Sequence, residues 1–157
     1  EEKGETQKMK LLKWISVADR FTKVYLDNQF APLGINSSQH MYLLKICENP
    51  GILQDSLLES FYVHPSNVVR TVLALEKKGF LTRTLYEKDK RTCRLYPTEK
   101  ALAIAGQVQE ICDRTESMLM EEIGEEEQKI FADVLIRAGK QIAGKLDVER
   151  KGDEFDE

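Results

Sequence analysis

Apolar residues recur every three or four positions near the start of the chain, at Leu12, Ile15, Ala18 with Phe21, and Tyr25. That spacing lays a single stripe along a helix and predicts one from Met9 to Phe30, stopped by Pro32 and Gly34. Ser37 and Ser38 are good caps for a second helix through Met41, Leu44 and Cys47, which Asn49-Pro50-Gly51 ends. A short third helix is expected from Leu53 to Phe61. Pro65 suits the first position of a fourth helix, because its φ is already helical and it has no N–H to leave unpaired; Gly79 closes that helix after Lys78.

Past Gly79 the period changes to two. Leu81 to Tyr86 and Thr92 to Tyr96 read as a two-stranded hairpin whose tip is Glu87-Lys88-Asp89-Lys90-Arg91. Pro97 cannot donate to a ladder and ends the second strand, and Thr98 caps a long helix with Glu99 in its first turn. Gly124 followed by three glutamates separates that helix from a last one running to about Lys145.

Charge adds a second layer. From His64 to Lys100 there are nine Lys and Arg against four Asp and Glu, a local charge of +5 in a chain whose net charge is −4. A polyanion would meet the middle of this acidic chain as a positive patch, since fields at ordinary salt decay over about 10 Å. The chain's 157 residues suit one domain with a real core. No apolar run reaches the roughly 20 residues that span a bilayer and no signal-peptide pattern opens the chain, so a cytoplasmic location without membrane contact is expected. Three widely spaced cysteines, Cys47, Cys93 and Cys112, do not read as a disulfide framework.

At about 100° per residue, the fourth helix places Val68, Val69, Val72 and Leu75 on one side and Ser66, Asn67, Arg70, Thr71 and Ala74 on the other. Small polar side chains around one guanidinium are what a helix needs to enter a major groove: Arg70 can donate twice to a guanine edge and Asn67 can bond an adenine. An isolated amphipathic helix would more often turn such a face to water. The context reverses that reading, for a short helix, a tight turn, this helix and a basic hairpin follow in the order of a winged helix-turn-helix.

The stretch from Asn49 to Ala101 resembles the MarR family of transcription regulators. Asn49-Pro50-Gly51-Ile52, Ser66-Asn67-Val68-Val69-Arg70, Leu75-Glu76-Lys77-Lys78-Gly79-Phe80-Leu81-Thr82-Arg83, Asp89-Lys90-Arg91 and Thr98-Glu99-Lys100 carry the resemblance. It implies a mainly α chain with a small two-stranded β-hairpin. A winged helix-turn-helix DNA-binding lobe would span residues 36–98, long dimerisation helices 1–35 and 99–146, and a charged, frayed tail 147–157. In that family an Asp-x-Arg element sits at the wing and its Arg reaches into the minor groove. By resemblance Arg91 takes this role beside Lys90, with Asp89 orienting it or pairing with Arg83. Two departures bear on the wing's return: Pro97 stands where Leu is usual, and Ala101 where Gly is usual.

The resemblance implies a homodimeric repressor on palindromic double-stranded operators, with no cofactor, no metal and no enzymatic activity. Apolar stripes at Leu11, Leu12 and Ile15 and at Ile130, Phe131, Val134, Leu135 and Ile142 offer material for a dimer seam or for an internal core. A small aromatic or anionic effector would sit near Trp14, Arg20, Phe21, Tyr25 and His40, though such aromatics more often simply pack. Two other readings stay open: a winged-helix protein-interaction module without DNA binding, and a cysteine-based redox-responsive regulator. Against catalysis, the chain has no phosphate-binding Gly-rich loop and no Gly-x-Ser-x-Gly. Two distant histidines give no paired metal ligands.

Overall fold

The computed structural model describes the backbone of residues 2–153 and the side chains of residues 10–146. Its elements are α1 (Glu2–Phe30), a 3-10 turn (Ala31–Leu33), α2 (His40–Glu48), β1 (Ile52–Leu53), α3 (Ser56–Phe61), α4 (Pro65–Lys77), β2 (Leu81–Leu85), β3 (Cys93–Pro97), α5 (Glu99–Leu119) and α6 (Glu125–Asp153). By contacts the chain divides into residues 1–115 and 116–157. No helix among the described residues is long and apolar enough to cross a membrane.

In the first unit a single core runs from the end of α1 to the middle of α5. Leu26 and Phe30, Tyr42, Leu43 and Ile46, Leu57, Val68, Val72 and Leu75, Leu95, and Ala101, Val108 and Ile111 all lie in it. Each of these helices turns apolar side chains into this core, as expected where burial of side chains drives packing. Gly34, at φ 81°, adopts the left-handed conformation that ends the 3-10 turn, donating its N–H to the Ala31 carbonyl at 3.1 Å.

Four local expectations are corrected. α2 is not capped by Ser37 or Ser38: its N-cap is Gln39, while Asn36 Oδ1 accepts from the Ser38 amide and hydroxyl in a turn upstream. The third helix begins at Ser56, because Ile52 and Leu53 form a strand opposite Leu95 and Arg94. The hairpin is therefore part of a three-stranded antiparallel sheet in the order β1-β3-β2. Last, the final helix continues past Lys145 to Asp153, so of the tail expected to fray, residues 147–153 have helical backbone and residues 154–157 lie outside the described residues.

The wing's return accommodates both departures from the family pattern. Pro97 is the last residue of β3, opposite Leu81. Thr98 donates its hydroxyl to the Gly79 carbonyl at 2.6 Å and accepts from the Ala101 amide at 3.3 Å, while its own amide bonds the Phe80 carbonyl. Ala101 is 1% exposed, its methyl filling the core where glycine would leave space.

In the second unit, Gln128 Nε2 donates to the carbonyls of Ile123 and Met120, at 2.7 and 3.2 Å, which ties the turn before α6. Most of α6 is exposed along its described length, its apolar residues included.

Candidate nucleic-acid interface

The start of α4 is built around a histidine cap. His64 is extended, at φ −70° and ψ 143°, and its Nδ1 accepts the Ser66 amide at 3.1 Å. Because Nδ1 is an acceptor there, the Ser66 hydroxyl, 2.7 Å away, donates to it as well, and the ring proton sits on Nε2. The preceding residue but one, Tyr62, ends α3 in the left-handed region at φ 52°, a conformation that strains a side chain with a Cβ.

Ser66, Asn67 and Arg70 are exposed, as the helical projection requires. No ion pair or side-chain hydrogen bond among the described residues engages Arg70, so its guanidinium is available to a partner. Thr71 differs: it is half-buried and bonds the Tyr42 hydroxyl on α2, so its oxygen works inside the lobe. Burial pushes the Tyr42 phenol up, and this bond acts in the opposite direction. Val69 does not join the buried side assigned to it. Val68, Val72 and Leu75 fill that side, whereas Val69 is 46% exposed and Leu73 44% exposed. The projection misplaced Val69 because the core covers a narrower arc of α4 than its four apolar positions span.

Glu76 and Arg83 join α4 to the wing. Arg83 Nε meets Glu76 Oε2 at 2.8 Å and Nη2 meets Oε1 at 3.0 Å, a two-pronged pair. The Arg83 hydrogen bond holds the Glu76 carboxyl below its usual range. Asp89 is thus left to Arg91: its Oδ1 accepts the Arg91 amide at 3.0 Å and the guanidinium Nε at 3.1 Å. Of the two pairings open in the sequence, the structure has Asp89 with Arg91. Those bonds lower the Asp89 carboxyl and raise the Arg91 guanidinium. The Arg91 side chain remains 91% exposed, and no ion pair among the described residues involves Lys88 or Lys90. The tip therefore presents three cations, one oriented by a carboxylate and two at large.

The residues expected around an effector are not drawn into one enclosed group. Trp14 and Phe21 are 60% and 62% exposed on α1, with Lys13 Nζ 5.7 Å from the Trp14 ring and the Arg20 guanidinium 5.4 Å from the Phe21 ring. Tyr25 and His40 are half-buried. His40 stacks on Phe30 at 5.0 Å and its Nδ1 lies 2.6 Å from the Ser37 carbonyl; burial lowers its pKa, against the opposing pull of that bond and of Asp27.

The cysteines sit in apolar surroundings. Cys93 is buried with Sγ 3.2 Å from Gln54 Oε1, and Cys47 is half-buried against the core. Burial pushes both thiols up, away from the thiolate that oxidation requires.

Comparison with known proteins meets this geometry. The MarR family model matches residues 35–93, from just before α2 to the first residue of β3. An HTH-type transcriptional regulator of Bacillus subtilis (strain 168), YybA, is 28% identical over 128 residues, covering 82% of this chain and 85% of its own. The transcriptional regulator SlyA superimposes with a TM-score of 0.81 at 26% identity, over 88% of this chain and 97% of that one. A MarR family transcriptional regulator from Listeria monocytogenes, complexed with 26mer DNA, gives 0.80 at 26% identity, over 90% and 94%. With the cap, the exposed polar face of α4, the charged wing and these relatives in agreement, residues 35–93 match the MarR family and the chain is similar over most of its length to winged helix-turn-helix transcriptional regulators.

Proposed function

We propose that the protein is a repressor that binds palindromic operators as a homodimer and is released by a small aromatic or anionic effector. The observation that carries the DNA reading is the outer face of α4, where Arg70 stands exposed and without a protein partner. Arg70 and Asn67 read base edges in the major groove, Ser66 accepts from a base amino group, and Thr71 holds the helix through Tyr42. Lys90 and Arg91 take the wing to the minor groove, whose negative potential attracts a guanidinium. The Listeria relative complexed with 26mer DNA supports this assignment by likeness.

A second copy is the partner that best suits the flanking helices. α1 exposes Leu11, Leu12, Trp14, Ile15, Phe21 and Val24, each at 50% or more, and α6 exposes Ile130, Phe131, Val134, Leu135, Ile136 and Ile142. Exposed apolar stripes of that kind, on each helix taken by itself, mark an interface. A two-fold pair also doubles the base pairs read, which one recognition helix alone reads too sparsely for an operator. The effector reading rests on the exposed set Trp14, Arg20 and Phe21, which offers two aromatic faces and a cation.

Titrating the protein onto promoter and random duplexes over a salt series tests the DNA reading: affinity must fall steeply with salt. Flat salt dependence favours the protein-interaction alternative. Sedimentation must give twice the chain mass at the same concentrations. Aromatic carboxylates must change both Trp14 fluorescence and operator affinity.

A further inference from the structure

Val69 and Leu73 are the residues of α4 that neither the core nor the polar DNA-reading set accounts for. Val68, Val72 and Leu75, at 2%, 0% and 0% exposed, supply what the core needs from this helix. Val69 and Leu73 remain 46% and 44% exposed although they bracket Arg70, one residue before it and three after. Around the axis Leu73 lies roughly 60° from Arg70 and Val69 roughly 100°, both on the same side of it. Glu76, on that flank one turn further on, is the residue that reaches Arg83 in β2. The two apolar side chains thus stand beside the guanidinium, on the side of the helix that looks toward the wing.

A solvated helix flank would be expected to carry Lys, Glu or Gln here. In the major groove the same flank has a specific use, because thymine alone presents a methyl group there, and apolar side chains recognise it by withdrawing it from water. Valine suits the task, since its stiff χ1 leaves little rotamer freedom to lose. The positive surroundings, Arg70 on the same helix and Lys88, Lys90 and Arg91 on the wing, fit a nucleic acid as the occupant of this flank.

We infer that Val69 and Leu73 are specificity-determining residues that pack on thymine methyl groups beside the base read by Arg70. The inference deepens the DNA-binding reading and rests on it. Each operator half-site then holds one or two thymines next to that base, and the protein distinguishes thymine from uracil at those positions.

The test begins with selection of bound duplexes from a randomised pool by the full chain. Each thymine of the enriched half-site is then replaced by deoxyuridine, which removes the methyl and leaves the Watson–Crick pairing intact. For the wild type, one or two positions should each lose about threefold to fivefold in affinity per half-site. In Val69→Ala or Leu73→Ala one of those penalties should vanish, while in Arg70→Ala both persist. Both positions are half exposed, so the alanine variants should melt with the wild type, and the uracil scan on the wild type needs no variant. Affinities unchanged at every substituted thymine overturn the inference. So do penalties that survive in both alanine variants, or variants whose principal defect is a change in oligomer mass. A pool that yields no enriched sequence, with affinity insensitive to salt, instead sinks the DNA reading beneath it.

Discussion

Arg70→Ala and Arg91→Ala separate reading from gripping. Arg70 has no protein partner among the described residues, so its removal leaves the folded subunit undisturbed and acts only on the complex. A good two-bond base contact discriminates by about 1–3 kcal/mol, and the proposed dimer makes it twice, so the loss should fall on sequences carrying the contacted base. Arg91 supplies charge, and each phosphate it neutralises contributes about −0.9 to the slope of log affinity against log salt. Two fewer contacts in the dimer flatten that slope by about 1.8. Between about 50 and 200 mM salt the wild type should therefore lose about twelvefold more affinity than Arg91→Ala. The variant also leaves Asp89, whose Oδ1 is 3.1 Å from the Arg91 Nε in the intact wing, without its partner. A bare carboxylate about 8 Å from a phosphate in water weakens binding by about twofold per subunit, so adding Asp89→Ala to Arg91→Ala should recover about that much at low salt. Fluorescence anisotropy on operator and scrambled duplexes, at several salt concentrations, reads all of this. The division fails if both variants lose equally on every duplex, or if Arg91→Ala keeps the wild-type slope. A double variant weaker than Arg91→Ala would show that Asp89 does not face the phosphates.

Four further outcomes concern the scaffold. Leu75, wholly buried on α4, should cost about 2–5 kcal/mol when cut to alanine, seen as a lower denaturation midpoint at unchanged m-value. Tyr62→Gly should stabilise by about 0.5–1 kcal/mol in urea unfolding: the left-handed strain at φ 52° amounts to roughly 1–2 kcal/mol, glycine's extra freedom offsets part of the gain, and the ring is 60% exposed. Gly79→Ala should lose roughly 1–2 kcal/mol by the same measurement through conformation alone, since at φ 82° a Cβ would meet nothing nearer than Lys100 Cδ at 3.9 Å. His40, whose pKa burial lowers, binds its proton more weakly folded than unfolded, so it takes stability away as pH falls below 6.5 and has no effect well above it. His40→Phe, which can still stack on Phe30, should flatten the decline in melting temperature between about pH 7 and 5, and a variant curve as steep as the wild type's would count against burial as the cause.

Much of the architecture was legible along the chain because its signals are local. Pro65 after His64, Gly79 after Lys78, and Thr98 after Pro97 mark boundaries through φ preferences and capping that operate within a few residues. Other features depend on residues far away in sequence. A two-residue strand has no periodicity of its own, so β1 exists only because β3 comes to lie beside Ile52 and Leu53. Ser37 and Ser38 are competent caps, yet Asn36 and Asp27 engage this turn first, the latter accepting the Ser37 amide at 2.7 Å. The effector residues illustrate the same limit, for aromatic stripes do not say whether a ring meets a ligand, a second copy or, like His40, its own neighbour Phe30.

By themselves the residues determined the order of helices and wing, the basic middle of an acidic chain, and the polar triad Ser66, Asn67 and Arg70 on one helix, since periodicity, composition and capping need only near neighbours. Tertiary structure decided which side of α4 the core would cover, and so left Val69 outside, turned Thr71 toward Tyr42, and gave Arg83 to Glu76 and Arg91 to Asp89. Those choices are competitions among groups brought together only by folding, and their outcome is set by distance and burial, which a one-dimensional order of residues does not contain.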